Sequence, residues 1–219
     1  KTKERQCYLR TPEQDMERGR EGGAVGLFRP TVEEMYPGPD TRIFHFGQTD
    51  KVMEGATSPG HFNGVAQVVS RLFDMVRPGR AYFGQKDYQQ VAVIRALVKQ
   101  LSLSLEIVTC PTVREEDGLA MSSRNMLLDR EHRNAAPKIY AAMQSGVELM
   151  KREMEAGREI SPREVEKFVT ETINSERLLK VIYFKLVNAR TLQDADRWDD
   201  PDGVQGCVAV QAGNVRLID

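Results

Sequence analysis

Between Pro59 and Pro111 the apolar residues change their spacing three times, and these changes limit the possible folds more than any other feature of the chain. Phe62, Val65, Val68, Val69, Leu72, Phe73 and Val76 recur every three to four positions, which predicts one face of a helix ending before Pro78-Gly79. Ala81-Tyr82-Phe83 then form a short apolar run closed by Gly84, the pattern of a buried strand. Tyr88, Val91, Ala92, Ile94, Leu97, Val98 and Leu101 return to helical spacing, and Leu105-Glu106-Ile107-Val108 makes a second strand closed by Pro111. Strands separated by a helix of this length must pair in parallel through right-handed crossovers, so the expected class is an α/β sheet of the nucleotide-binding kind. Ligands of such sheets sit beyond the carboxyl ends of the strands. Gly60-His61, Gly84 to Asp87 and Thr112-Val113 are therefore expected on one edge.

Upstream, Thr11-Pro12-Glu13 reads as the start of a short helix, with threonine as N-cap and proline at the first position. Val25, Leu27 and Phe28, after Gly22-Gly23, and the alternating Arg42-Ile43-Phe44-His45-Phe46 are expected to be strands. Downstream, Asp117 to Asn125 is a turn-rich loop. Ile139, Tyr140, Met143, Val147 and Met150 mark a helix, with Pro137 at its start or at a kink. Ser161-Pro162-Arg163-Glu164 is a capping box. A strand is expected from Leu178 to Val187, with Ile182, Phe184 and Leu186 on one face, and a hairpin turns at Ala212-Gly213-Asn214. The last hundred residues thus read as α+β with a small antiparallel sheet. The expected division is into residues 1–113 and 114–219.

The chemistry should gather near Lys86, which lies in the first turn of a predicted helix. A cation is the wrong sign for stabilising a helix N-terminus, where unpaired N–H groups favour an anion. Lys86 is then either placed for an anionic ligand or simply solvated, with Asp87 as capping chemistry. Gln90, four residues on, would present an amide on the same face. Ser122, Ser123 and Arg124 supply hydroxyls and a guanidinium suited to phosphate oxygens, or form a capped loop. His61 fits a ligand contact and a structural helix start equally. The carboxylates around Trp198 lack calcium-loop spacing and read as a solvated acidic loop.

With 31 Lys and Arg against 32 Asp and Glu, the net charge of −1 gives no global field for nucleic acid or an anionic membrane. No run is long and apolar enough to cross a bilayer. Cys7, Cys110 and Cys207 are widely spaced without a Cys-x-x-Cys pair, which fits a reduced cytoplasm.

Taken together, three motifs resemble the pantoate–β-alanine ligase family. They are Glu54-Gly55-x-x-x-Pro59-Gly60-His61-Phe62-x-Gly64-Val65, Phe83-Gly84-Gln85-Lys86-Asp87-x-Gln89-Gln90, and Val113-Arg114-x-x-Asp117-Gly118-Leu119-Ala120-Met121-Ser122-Ser123-Arg124-Asn125. The likeness runs from Tyr8-x-Arg10-Thr11 to the terminal hairpin. It implies a Rossmann-like, cytidylyltransferase-like parallel sheet followed by a small α+β lid domain. It also implies an ATP-dependent ligase that joins pantoate to β-alanine through a pantoyl-adenylate, with Mg2+ accompanying the nucleotide and a homodimeric assembly. Carried over by position, Gly84, Gln85 and Asp87 fall at the ATP site, Gly84 and Asp87 at the ribose, and Lys86 at the phosphates and the reacting centre. Val113 falls at adenine, and Met121, Ser122, Ser123 and Arg124 match a mobile phosphate-binding loop. Gln90 is implied to hold pantoate, and His61 to line the site.

The family opens with a strand and a Met-Gly-x-Leu-His-x-Gly-His motif, and it carries a further pantoate-binding glutamine; neither occurs in these residues. Leu9, Ser58 and Gln85 replace the more usual proline, arginine and glutamate. The expectation is a working ligase of which this is a part, with the 219 residues inactive alone. The alternative is a non-catalytic remnant that binds nucleotide weakly or pairs with a partner.

Overall fold

The computed structural model describes residues 11–219; Cys7, Leu9 and the Tyr8-x-Arg10 part of the family pattern lie outside them. Within residues 11–41, helix α1 (Pro12–Glu21) starts with proline at its first position as expected, but Thr11 makes no side-chain cap bond. Helix α2 (Val32–Met35) is a single turn held by a reciprocal capping box. The Glu34 N–H donates to Thr31 Oγ1 at 3.2 Å, and the Thr31 N–H to Glu34 Oε2 at 2.7 Å. The strand expected at Val25, Leu27 and Phe28 is absent: the chain there is irregular, and all three side chains are exposed. An apolar residue with no sheet face to cover gives no strand.

Residues 42–219 form a compact unit. The alternation of Arg42 to Phe46 does bury Phe44 and Phe46 and expose Ile43 and His45, yet this segment is not a strand either. It is followed by the short helix α3 (Met53–Thr57) and by α4 (His61–Val76), whose side chains take the place of a neighbouring ladder. The Phe44 N–H donates to Asn63 Oδ1 at 2.8 Å, and the Arg42 carbonyl accepts from Asn63 Nδ2 at 3.3 Å and Gln67 Nε2 at 2.8 Å. The polar groups of an extended backbone need partners, not necessarily strands.

Strand β1 (Arg80–Gly84) leads through a 3-10 turn (Gln85–Asp87) into α5 (Tyr88–Gln100) and then β2 (Glu106–Cys110). The two strands pair in parallel, from Arg80 opposite Glu106 to Gly84 opposite Cys110. This confirms the parallel reading and moves the second strand two residues beyond Val108. Phe62, Ala66 and Phe73 of α4 pack with Phe44, Phe46 and the inner face of α5, Val93, Ile94 and Leu97. Val93 was not among the expected inner positions, and Val76, which was, is half exposed at the end of α4.

The chain continues through a second 3-10 turn (Ser123–Leu127), α6 (Arg130–Ala135), α7 (Lys138–Glu155), α8 (Pro162–Asn174) and the strands β3 (Leu179–Asn188), β4 (Val204–Ala212) and β5 (Val215–Ile218). Pro137 separates α6 from α7 and so marks a true helix start. The Ser161 capping box forms as read, with the Ser161 N–H donating to Glu164 Oε2 at 2.8 Å. Gly146 lets α8 approach α7, since a Cβ there would lie 2.5 Å from Val169 Cγ2. The three strands are antiparallel in the order β3-β4-β5.

A bulge at Ile182 shifts the register of β3 between Val181 and Tyr183. Leu179 and Val181 face the α7–α8 core before it, and Phe184 and Leu186 face it afterwards. Ile182 is the extra residue and points outward, so the predicted three-residue face is split. The opposite face of the sheet, Tyr183, Val187 and Cys207, packs with Leu192 against Val52, Met53, Tyr88 and Ala92. This seam joins the β1–α5 region to the antiparallel sheet.

The loop before α3 is the tightest point of the fold. A Cβ on Gly55 would lie 1.9 Å from the Asp50 carbonyl oxygen. Backbone on both sides leaves nothing flexible to yield, so Gly55→Ala should destabilise the protein by about 2 kcal/mol or more. Denaturant unfolding monitored by far-UV circular dichroism checks this, and an unchanged midpoint would contradict the close approach.

Candidate active site

Because β1 and β2 end level at Gly84 and Cys110, the segments that follow them leave the sheet side by side. Gln85 from the first, Pro111, Thr112 and Arg114 from the second, and Met143, Gln205, Gly206 and Asp219 from the other half line a cleft of about 240 Å3. Two of the three segments expected at the sheet edge thus meet there. Gln85 Nε2 crosses the cleft to donate to Gln205 Oε1 at 3.1 Å. His61, the first residue of α4, is exposed, its ring tilted by 60° against that of Phe62 at 5.0 Å, and it is not among the residues lining this cleft.

Lys86 belongs to the 3-10 turn that precedes α5 rather than to the first turn of the α-helix. A 3-10 turn advances faster than an α-helix, so the simple four-residue spacing to Gln90 does not by itself fix a common face. The Lys86 side chain is 19% exposed and has its Nζ 3.9 Å from Asp87 Oδ2. Asp87 occupies the N-cap position of α5 without making a side-chain capping bond. Its carboxylate faces the lysine, and the helix N–H groups are left unmatched by that side chain. Gly84 has open space where a Cβ would stand, which keeps the strand end uncovered.

Across the cleft the chain from Val113 to Met121 folds back on itself. The Met121 N–H donates to the Val113 carbonyl at 2.9 Å, and the Glu115 N–H to the Leu119 carbonyl at 2.8 Å. The turn uses Gly118 at φ +89°, where a Cβ would press on the Tyr140 ring at 3.0 Å. Arg114 sits at its base with Nη1 and Nη2 donating to the Asp219 carboxylate, at 2.5 and 2.9 Å, and its guanidinium carbon 3.5 Å from the centre of the Tyr140 ring. This forked pair fixes the cleft wall. Ser122 caps the following 3-10 turn by accepting from the Arg124 N–H at 3.2 Å, and Ser123 is exposed. Arg124 Nη1 donates to the Arg216 carbonyl of β5 at 3.3 Å.

Gln89, to which the sequence analysis assigns no role, holds the loop that leads into α3. It is buried, its Nε2 donates to the carbonyls of Thr49 at 2.8 Å and Val52 at 2.9 Å, and its Oε1 accepts from the Glu54 N–H at 3.0 Å. Glu54 Oε1 accepts in turn from the Tyr183 hydroxyl at 3.1 Å and is paired with the Arg216 guanidinium. Burial, and next the Glu54 carboxylate, push the Tyr183 phenol well above its usual range, so it stays a hydrogen-bond donor. The signal that could have found Gln89 is a polar residue four positions before the fully buried Val93, hence on an inward face. Arg114, Glu54 and Gln89 stood in the motifs, but nothing local in the sequence named their partners.

The acidic residues around Trp198 are engaged structurally. Asp202 pairs with Arg190 at 2.9 Å, Asp199 with Arg197 at 2.6 Å, and Trp198 Nε1 donates to the Ile160 carbonyl at 2.6 Å. Among the described residues no group of three or more His, Cys, Asp or Glu could hold a metal ion, and no helix is long and apolar enough to cross a membrane. The cleft itself is lined by the amides of Gln85 and Gln205, the Thr112 hydroxyl and the Arg114–Asp219 pair, while Lys86, Gln90, Ser122, Ser123 and Arg124 are not among its lining residues. Such a set offers hydrogen-bond donors and acceptors for a polar substrate.

The sequence profile of the family described as Pantoate-beta-alanine ligase matches residues 1–219. A pantothenate synthetase of Porphyromonas gingivalis is 50% identical over 214 residues, covering 98% of this chain and 74% of its own length. One from Bacteroides fragilis is 49% identical, covering 97% and 73%. The crystal structure of the Thermus thermophilus pantothenate synthetase superposes with a TM-score of 0.87 at 42% identity, covering 97% of this chain and 75% of that one. That of the Francisella tularensis pantoate-beta-alanine ligase, described as complexed with beta-gamma ATP and beta-alanine, gives 0.76 at 30% identity, covering 100% and 72%. The chain thus spans about three quarters of the length of these relatives, and matches at this identity and coverage establish that it belongs to the pantoate-beta-alanine ligase family.

Proposed function

We propose that the cleft beyond the carboxyl ends of β1 and β2 is where this ligase activates pantoate with ATP. The activity comes with the family: pantoate and β-alanine are joined to give pantothenate. The observation that carries the placement is the convergence of the Gln85 and Thr112 segments, from adjacent strand ends, with Gln205 and Asp219 around one opening. The use of ATP is supported by the nucleotide-bound Francisella relative.

In the proposed reaction a carboxylate oxygen of pantoate attacks the α-phosphorus of ATP in line, and pyrophosphate leaves with the electrons of the broken P–O bond. The amine of β-alanine then attacks the activated carbonyl, loses a proton and displaces AMP. Neither step needs a covalent link to the protein, so the side chains have to position reactants and neutralise charge. Lys86 is assigned to the phosphates and the developing charge, Gly84, Gln85 and Asp87 to the nucleotide beside it, and Val113 to adenine. The Val113 carbonyl is already spent on Met121, which ties the adenine wall to the Met121-Ser122-Ser123-Arg124 loop. That loop is assigned to the outer phosphates, Gln90 to pantoate, and His61 to the periphery of the substrate site. Mg2+ would enter on the phosphate oxygens, since such ions keep much of their coordination for phosphate and water. In this reading residues 1–113 serve as the nucleotide-binding part and 114–219 as the lid, in a cytoplasmic homodimer.

Lys86→Ala should slow pantoyl-adenylate formation by about 10²-fold or more, the scale of losing one preorganised charge contact. Single-turnover measurement of AMP-linked product checks it, and a near-normal rate would remove Lys86 from the first step. Gln90→Ala should weaken pantoate by tenfold or more while leaving ATP within about threefold, because a substrate polar group would lose its partner. Separate titrations of the two ligands decide; equal losses would contradict the assignment.

A further inference from the structure

A side-chain amide carries a donor on one atom and an acceptor on the other, and its neighbours decide which of them a ligand meets. Gln85 follows β1 and Gln205 lies on β4, 120 residues apart in sequence, and both line the cleft. The Gly206 carbonyl has no proton to give, so the Gln205 atom 2.7 Å from it must be the nitrogen, Nε2. Gln205 Oε1 is then the atom turned to Gln85, and because it only accepts, the Gln85 atom 3.1 Å away must be a nitrogen as well. The orientation of Gln85 thus follows from a backbone carbonyl of β4 through one intervening amide. Its nitrogen is held by Gln205, and its Oε1, which accepts no hydrogen bond from the described residues, is the unengaged acceptor of a half-buried side chain at the cleft. An amide without such a partner is free to turn over and present its donor instead.

We infer that Gln205 is a positioning residue for nucleotide binding: by holding the Gln85 nitrogen it keeps the Gln85 oxygen available to accept a hydrogen bond from the nucleoside part of ATP. The inference rests on the assignment of Gln85 to the nucleotide. ATP is rich in acceptors, and its strong donors are the 2′- and 3′-hydroxyls of the ribose and the 6-amino group of adenine. A fixed acceptor therefore selects one of these and not the phosphates, which are assigned to Lys86 at the next position. The same device accounts for glutamine where the family more usually has glutamate. A carboxylate accepts on both oxygens and needs no neighbour to orient it, whereas an amide does. Gln205 makes the neutral amide present to a donor what the carboxylate would present.

The test measures ATP KM, the adenylation rate at saturating ATP and pantoate Kd in the active enzyme. Gln205→Met keeps the length of the side chain and removes both hydrogen bonds. It should raise ATP KM by about fivefold or more, the scale of one neutral hydrogen bond, with the saturated rate and pantoate Kd within about twofold. Adding Gln85→Glu to Gln205→Met should return ATP KM to within about twofold of the unsubstituted enzyme, because the carboxylate needs no orienting partner. The effect of Gln205→Met should vanish with one of 2′-deoxy-ATP, 3′-deoxy-ATP or the analogue lacking the 6-amino group, and that analogue identifies the donor. Equal weakening of ATP and all of these analogues, or failure of Gln85→Glu to rescue, would overturn the inference. A normal ATP KM in Gln205→Met beside a raised one in Gln85→Met would also overturn it, while leaving Gln85 assigned to the nucleotide. A Gln85→Met variant with normal ATP KM would overturn both. Matched losses of ATP and pantoate in Gln205→Met, with a lowered unfolding midpoint, would show a merely structural tie and likewise overturn the inference.

Discussion

The buried carboxamide of Gln89 ties the start of α5 to the loop before α3. Gln89 bonds two carbonyls and one N–H of the chain from Thr49 to Glu54; the Val52 carbonyl also accepts from the Gly55 N–H of α3 at 2.9 Å, so Thr49 and Glu54 depend on it most. Leaving the half-buried Thr49 carbonyl and Glu54 N–H unpaired would cost on the order of 1 kcal/mol each, so the loop and the helix start are held as one piece. With that loop held, Met53 and Val52 are presented to the seam with the antiparallel sheet, and Glu54 is aimed at Tyr183 and Arg216.

The antiparallel sheet answers with a device of its own. Alternation along β3 serves its core face and its seam face, and the bulge at Ile182 keeps Leu179 and Val181 on the same core face as Phe184 and Leu186. The seam is apolar at its centre and hydrogen-bonded at its margins. Tyr88 illustrates this: its ring packs with Val187 and Cys207, while its hydroxyl donates to the Ala189 carbonyl at 2.8 Å. Burial raises its phenol pKa, as burial pushes the Cys207 thiol up to about 12, so neither group carries charge into the seam near neutral pH.

The sequence was most legible where the determinants are local. Periodicity placed α4, β1, α5 and β2, the Ser161 box placed α8, and Ala212-Gly213-Asn214 placed the terminal hairpin. It misread segments whose backbone partners come from elsewhere. Arg42 to Phe46 has the alternation of a strand but bonds to Asn63 and Gln67, side chains about twenty residues on, and Val25 to Phe28 has strand-forming residues with nothing to cover. The candidate site divides in the same way. Gln85 follows from the sheet-edge rule and lines the cleft, whereas the pairs Arg114–Asp219 and Glu54–Arg216, 105 and 162 residues apart, have no local signature. Charge pairs across such distances are selected by the finished fold and not by the periodicity of any element.

The account stands or falls on where the triphosphate lies. A crystal structure of the active enzyme with a non-hydrolysable ATP analogue and pantoate measures this directly. The account predicts phosphate oxygens within hydrogen-bond reach of Lys86 Nζ at one end and of the Arg124 guanidinium at the other, with the pantoate carboxylate facing the α-phosphorus. Nucleotide density outside the cleft bounded by Gln85, Thr112 and Gln205, or phosphates that touch neither cation, would contradict it.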